Sequence, residues 1–463
     1  MDLCGRRGRP PPRSAWVTPR HQLPLLGRAP RSPDRGVFGL SEKNRSPVAF
    51  GKRSESVVPL AGGGAQATQE GSWAGCSDRF SQVEAAAMDV LFSEDQEILR
   101  SGVREFLERE CGLATVRAIA EAGKGLPPAL WKKLADLGWL GLCIPEEYGG
   151  AGLRCLDLVV MLEEMGRNLF PGAFLSAVVG GLALVLGGNE VQKRRLLPAI
   201  ACGEQRVTLA LCDEAGPWSA KGVAVEAHAA GAGFSLRGVK RFVPEANAAD
   251  WLVVPARTSD DLEQSLTLFL VDPRAPGTSV ELVPTTDTTR SYGEVLFTDV
   301  HVAPENVLGA LGEGAPLLER IIDRAKVALC ADACGGAQRV LELSVAYART
   351  REQFGRPIGA QQAIQHRCAD MLVRVEGARS ATWRAAWCLD EGESAAHTAV
   401  SMAKAYASDA YLRVASDGIQ IHGGLGFTWE QDLHLFFKRA ALSSVLFGNS
   451  TQNRELVARA LLD

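Results

Sequence analysis

Two changes of texture constrain this chain more than anything else in it. Up to about Gln205, apolar residues recur at helical spacing. Between Gln205 and Ala315 the apolar stretches shorten to strand length, and Gly, Pro, Asn and Asp punctuate them. Beyond Ala315 long helical periodicity returns. The pattern predicts a mostly α chain with a β insert: a helical domain over 88–204, a β domain over 205–312 and a helical domain over 313–463. At 463 residues, 46% hydrophobic and 22% charged, the chain has room for all three.

Local signals fill in this outline. Ser93-Glu-Asp-Gln96 reads as a capping box, with hydroxyl and amide each satisfying a free backbone N–H. Leu99, Val103, Phe106 and Leu107 follow at helical spacing, and 130–137 and 156–164 are further amphipathic stretches. Strand-length runs fall at 207–212, 234–238, 251–254, 266–271 and 295–297. Leu318, Ile321, Ile322, Ala325 and Leu329 trace one face of a long C-terminal helix. Gly335-Gly336 lies inside that helical stretch, which predicts a close approach of two helices there.

Residues 1–87 have a different character. They hold nine of the 23 prolines and carry 13 Lys/Arg against 7 Asp/Glu, a net of +6. With −4 for the whole chain, residues 88–463 carry −10, which gives no nucleic-acid or membrane bias. Such a leader buries too little apolar surface to offset its ordering entropy and is expected to be disordered. It reads as a mis-assigned start, translation beginning at Met88, or as an organelle transit peptide. None of the eleven cysteines forms a CxxC pair, and no three-ligand metal pattern is visible. Buried reduced thiols in bacterial cytoplasm fit this usage, or the mitochondrial matrix if the leader is real. No apolar run is long enough to span a bilayer.

Four segments carry chemistry. They are Gly141-Leu-Cys-Ile-Pro-Glu-Glu-Tyr-Gly-Gly-Ala-Gly152, Phe297-Thr-Asp-Val-His-Val-Ala-Pro-Glu-Asn-Val-Leu-Gly309, Arg349-Thr-Arg-Glu-Gln-Phe-Gly-Arg-Pro-Ile-Gly359 and Gln420-Ile-His-Gly-Gly-Leu-Gly-Phe427. In order and spacing they resemble the acyl-CoA dehydrogenase family, over roughly residues 88–463. The resemblance implies an N-terminal helical domain, a β-barrel-like middle domain and a C-terminal four-helix bundle. It also implies FAD as cofactor, an acyl-CoA thioester as substrate and an electron-transfer flavoprotein as acceptor. The family's matching late segments contact the FAD of a neighbouring subunit, so a dimer or tetramer is expected, homomeric or heteromeric.

The residues agree with a flavin dinucleotide. Arg351 can supply a cationic fork for a pyrophosphate, and Phe354 an aromatic surface. Gly423 and Gly424 allow close backbone approach, and Gln420 can donate or accept. In the middle domain the family's Trp-x-Thr or Trp-x-Ser becomes Phe242-Val-Pro244. Phe242 can still pack on the ring system, but Pro244 has neither hydroxyl nor N–H to offer flavin N5. After the strand ending in Asp213, the family's small residues give way to Pro217-Trp218-Ser219.

The catalytic base is the larger departure. α,β-Dehydrogenation needs a carboxylate beside the α-carbon in a dry pocket. The resemblance places it at Phe447, or in other branches at or near Ala325, and neither is acidic. Phe447 can still offer its backbone N–H to a thioester carbonyl. Asp323 is a candidate base one turn from the second position, Asn449 looks like a neutralised acid, and Lys326 matches a family Arg near the substrate. Similar gaps occur in heteromeric actinobacterial dehydrogenases of steroid side chains or rings, where one subunit type has lost the base. The readings left open are such a base-lacking subunit, a homomeric enzyme with an unrecognised base, and a non-catalytic structural or regulatory subunit.

Overall fold

Ser93 opens the first helix as its sequence requires. Its hydroxyl accepts from the Gln96 N–H at 3.2 Å, and the Gln96 amide oxygen accepts from the Ser93 N–H at 3.2 Å. The computed structural model describes residues 92–462 apart from 124, 214–217 and 260–265. The expectations for residues 1–87, and the choice between Met1 and Met88, lie outside the described residues.

Among the described residues, six helices make up the first helical region: α1 (Glu94–Glu110), α2 (Leu113–Ala122), α3 (Pro128–Asp136), α4 (Cys155–Arg167), α5 (Ala173–Gly187) and α6 (Glu190–Ala201). The periodic residues Val103, Phe106 and Leu107 are buried as the α1 pattern predicts, whereas Leu99 is only partly covered.

Eight strands follow among the described residues: β1 (Val207–Leu209), β2 (Glu226–Ala230), β3 (Gly233–Pro244), β4 (Trp251–Arg257), β5 (Leu266–Val271), β6 (Thr278–Leu282), β7 (Tyr292–Val302) and β8 (Val307–Leu308). They form one sheet in the order β6-β7-β3-β2-β4-β5-β8, with β1 added in parallel to β4. The hydrogen-bonded path runs open from β6 to β8 among the described residues, so the barrel-like expectation is met by a sheet rather than a closed barrel. Val254, Phe269, Val295 and Phe297 build a core on one side. On the other, Val253, Leu268 and Leu270 pack with Leu184, Leu197 and Leu318 from helices. Strand β5 is buried along its whole length, and its sequence is apolar at every position but Thr267.

Helix α7 (Gly314–Thr350) opens the last region, followed by a two-stranded hairpin, β9 (Glu352–Gln353) and β10 (Arg356–Pro357). Helices α8 (Gln362–Glu391), α9 (Ala396–His422), α10 (Leu433–Val445) and α11 (Ser450–Leu462) complete it. Helices α7 to α10 form the expected bundle, and α11 is a fifth helix packed on α9. The close approach predicted at Gly335-Gly336 is present. A Cβ on Gly335 would lie 1.7 Å from Glu163 O of α4, and one on Gly336 would lie 2.3 Å from the Tyr411 hydroxyl of α9.

Candidate active site

The late motif segments meet at one end of the bundle. Tyr347, in the last turn of α7, stacks on His422, in the last turn of α9, with ring centroids 4.2 Å apart. Beyond α7 the chain turns through Gln353-Phe354-Gly355-Arg356, a two-residue hairpin turn with φ of 56° at Phe354 and 74° at Gly355. That turn projects Phe354, which is 94% exposed, and Arg351 beside it is also exposed. Gln420 is exposed on the last turn of α9. Gly423 ends the helix at φ 59° and ψ −134°, a backbone conformation only glycine holds without strain. No atom approaches within 4 Å of a Cβ built on Gly423 or Gly424.

Phe242 is set by the middle domain. Strand β3 slips register against β7 between Lys240 and Val243, and Phe242 lies in that bulge at φ 50°, 39% exposed. The strand is pinned on both sides of it. Arg241 N–H donates to Cys212 O at 2.7 Å, Thr208 Oγ1 donates to Pro244 O at 2.8 Å, and buried Lys240 pairs with Asp213 at 2.5 Å. Burial pulls the Lys240 ammonium down, and Asp213 opposes that pull. Phe242, Phe354 and Phe447 are three of only six non-glycine residues with positive φ among the described residues. Backbone strain of this kind collects where a fold places functional side chains.

The two positions where the resemblance puts a carboxylate are both buried and apolar. Ala325 on α7 and Phe447 after α10 belong to one buried apolar cluster with Leu318, Ile322 and Leu446. Phe447 sits at φ 55°, and the ring of Trp218 meets it edge-on at 5.5 Å. Behind the turn, the Lys404 ammonium donates to Gly448 O at 3.1 Å, Ser443 O at 3.2 Å and Ser408 Oγ at 2.8 Å. Burial depresses Lys404 to about 8. Lys404 is a functional candidate that the sequence motifs did not single out, and Trp218, seen in the sequence only as a departure from the family's small residues, becomes one by its contact with Phe447. Lys404 carries a readable signal, because it interrupts the buried helical stripe of Val400, Ala403, Ala407 and Tyr411.

Asp323 faces another way. Both its carboxylate oxygens lie 2.9–3.0 Å from His397 Nδ1, at the start of α9. That hydrogen bond raises the His397 imidazole above its ordinary value, against burial. Lys326 is buried on the same side of α7 and is held down by desolvation, while Asp323 and Glu319 oppose the fall. Asn449 caps α11, its side chain accepting from Gln452 N at 2.9 Å. No group of three or more potential metal-ligating side chains occurs among the described residues.

One chain does not bring all these residues together. Lys404 and Gln420 stand 16 residues apart on α9, roughly 24 Å along its axis. Arg351, Phe354, Gln420, Gly423 and Gly424 lie at one end of the bundle and the Phe447 turn towards the other. An exposed guanidinium, two exposed aromatic rings (Phe427 is 79% exposed) and an open glycine backbone are groups that fit a flavin dinucleotide. A cavity of about 350 Å³ lies elsewhere, among α1, α4, α7 and α8. Arg104, Arg167 and Arg379 pair with glutamates of the same lining, Arg104 with Glu164 at 2.6 Å, and none of the site residues lines it.

Three family descriptions match in order: "Acyl-CoA dehydrogenase, N-terminal domain" over 93–204, "Acyl-CoA dehydrogenase, middle domain" over 208–300 and "Acyl-CoA dehydrogenase, C-terminal domain" over 312–462. The chain is 30% identical over 381 residues to an acyl-CoA dehydrogenase of Bacillus subtilis, covering 80% of this chain and 98% of that one. Butyryl-CoA dehydrogenase from Megasphaera elsdenii superposes with a TM-score of 0.77 at 26% identity, over 81% of this chain and 100% of the other. The ChsE4-ChsE5 complex from Mycobacterium tuberculosis superposes with a TM-score of 0.74 at 28% identity, over 81% of this chain and 99% of the other.

Proposed function

The chain belongs to the acyl-CoA dehydrogenase family of FAD-dependent oxidoreductases, and from that premise we propose that it is the base-lacking subunit of a heteromeric α,β-dehydrogenase. One observation carries the reading. Both places where the family keeps its carboxylate are apolar, Phe447 and Ala325, and they share one buried cluster. Asp323 is taken up by His397, and neither Lys326 nor Asn449 supplies a carboxylate. FAD, when bound, supplies the hydride acceptor. Phe242, Arg351, Phe354, Gln420, Gly423 and Gly424 are the residues proposed to hold it, the last five towards a neighbouring chain. Lys326 and Phe447 are proposed to line the acyl-CoA site, with Phe447 excluding water from it. The likeness to a two-component complex supports the heteromer, and an electron-transfer flavoprotein is the proposed acceptor.

The test is flavin reduction by acyl-CoA. The chain alone should stay oxidised, and Phe447→Glu should gain flavin bleaching by about 10²-fold or more, the usual worth of a positioned base. Native mass spectrometry with co-expressed candidate partners should show mixed particles. Rapid bleaching by the wild-type chain alone would instead establish a homomeric enzyme with a base elsewhere.

A further inference from the structure

Phe447 is enclosed from two directions. Behind it, Lys404 gathers the carbonyls of Ser443 and Gly448, so the turn cannot shift without stripping partners from a buried ammonium. In front, Trp218 packs edge-on against the ring. Trp218 is tethered in turn. Ala220 N–H, two residues on, donates to Glu319 Oε1 at 3.1 Å, and Glu319 stands on the same helix α7 that carries Ala325. Ala325, Leu318 and Ile322 are fully buried members of the same apolar cluster as Phe447. The Phe447 ring is 8% exposed, and a ring so enclosed moves only at the expense of its neighbours' packing.

We propose that Trp218 and Phe447 form an aromatic wall beside the α-carbon of a bound acyl thioester, one that rejects acyl groups branched at that carbon. The inference rests on reading Phe447 as the family's base position. A carboxylate there must reach the α-carbon, so a phenyl ring on the same backbone lies against that carbon. An unbranched acyl group presents only hydrogens to the ring. An α-methyl group competes with it for volume, and Trp218 denies the ring any retreat. One methyl group in a tight apolar site discriminates by about 10- to 200-fold.

Calorimetric titration of the full-length, FAD-reconstituted chain tests this, using crotonyl-CoA and its 2-methyl analogue tiglyl-CoA. Neither needs a catalytic base in order to bind. The wild type should prefer crotonyl-CoA by about tenfold or more. Trp218→Ala should shrink that preference to about threefold or less by tightening tiglyl-CoA, and Trp218→Phe should keep it. Phe447→Ala provides a second opening of the same wall and should act like Trp218→Ala. Equal affinity of the wild type for both thioesters, binding of neither, or an unchanged preference in both alanine variants would overturn the wall. Failure of the base-lacking reading would show separately, as bleaching of the wild-type flavin by butyryl-CoA.

Discussion

Lys404 carries its charge in the interior with carbonyls and a hydroxyl around it and, among the described residues, no carboxylate at ion-pair distance. Its folded value of about 8 lies below the ordinary 10.5, because burial disfavours the ammonium. Between those two values the unfolded chain binds the proton and the folded chain does not. Stability contributed by this group therefore rises with pH across that window, and below it the burial penalty is fully present. Raising the pH from 7.5 to 9.5 should stabilise the wild type by about 2 kcal/mol relative to Lys404→Met, measured by urea unfolding of both at each pH. Parallel pH profiles for the two proteins would mean that the surrounding carbonyls hold the ammonium charged throughout. The same residue shows what a motif cannot display. Lys404 was visible as a polar break in a buried stripe, but its partners lie about 40 residues away at the end of α10.

At the scale of elements, α4 and α7 cross through reciprocal glycines. Gly335 of α7 lies under Glu163 O, and Gly166 of α4 lies under Asp332 O, where a Cβ would stand only 2.0 Å away. Backbone carbonyls cannot step aside as flexible side chains do. Gly335→Ala should therefore destabilise the chain by about 1–3 kcal/mol or more despite the better helix propensity of alanine, read as a lowered thermal midpoint. An unchanged midpoint would show that the crossing slides without cost. This contact was legible because two adjacent glycines inside a helical pattern demand a reason. The capping box at Ser93 and the buried strand β5 were legible for the same kind of reason: their signals are local. Strand β3 was not. Residue pattern marked only 234–238 as strand, and only the family resemblance put Phe242-Val-Pro244 on one, whereas a single strand runs to Pro244 through register slips at Leu236/Gly238 and Lys240/Val243 that depend on pairing with β7. Phe447 was legible as a departure from the family pattern, but Trp218 was not recognised as its partner, because they are 229 residues apart and meet only in the fold.

Across the whole molecule the least legible feature is the one that ties the regions together. Arg439 on α10 is fully buried and reaches Asp287 Oδ2 at 2.9 Å, Asp332 Oδ1 at 3.2 Å, and the carbonyls of Leu169 and Phe170 at 3.3 and 3.2 Å. Arg290 closes the group by donating to Asp332 Oδ2 at 2.7 Å. These partners come from the α4–α5 connection, the β6–β7 connection, α7 and α10, so one guanidinium touches both helical regions and the β region. Arginine and aspartate are ordinarily surface residues, and nothing in their spacing marks them as interior. Such a cluster is sensitive to the loss of one member, which leaves opposite charges buried and unpaired. Arg439→Met should lower stability by about 3–5 kcal/mol in urea unfolding, and Arg439→Lys should not recover it, because an ammonium lacks the planar fork that serves these four oxygens at once. Asp332→Asn should be similarly damaging, and the double variant Arg439→Met/Asp332→Asn should cost clearly less than the two single losses added together. Because α10 runs directly into the Phe447 turn, the same variants should loosen that turn and weaken crotonyl-CoA binding at temperatures where the chain is still folded. Additive losses in the cycle, with thioester affinity unchanged, would mean that apolar packing alone holds the three regions in register and that the charged group is a passenger within it.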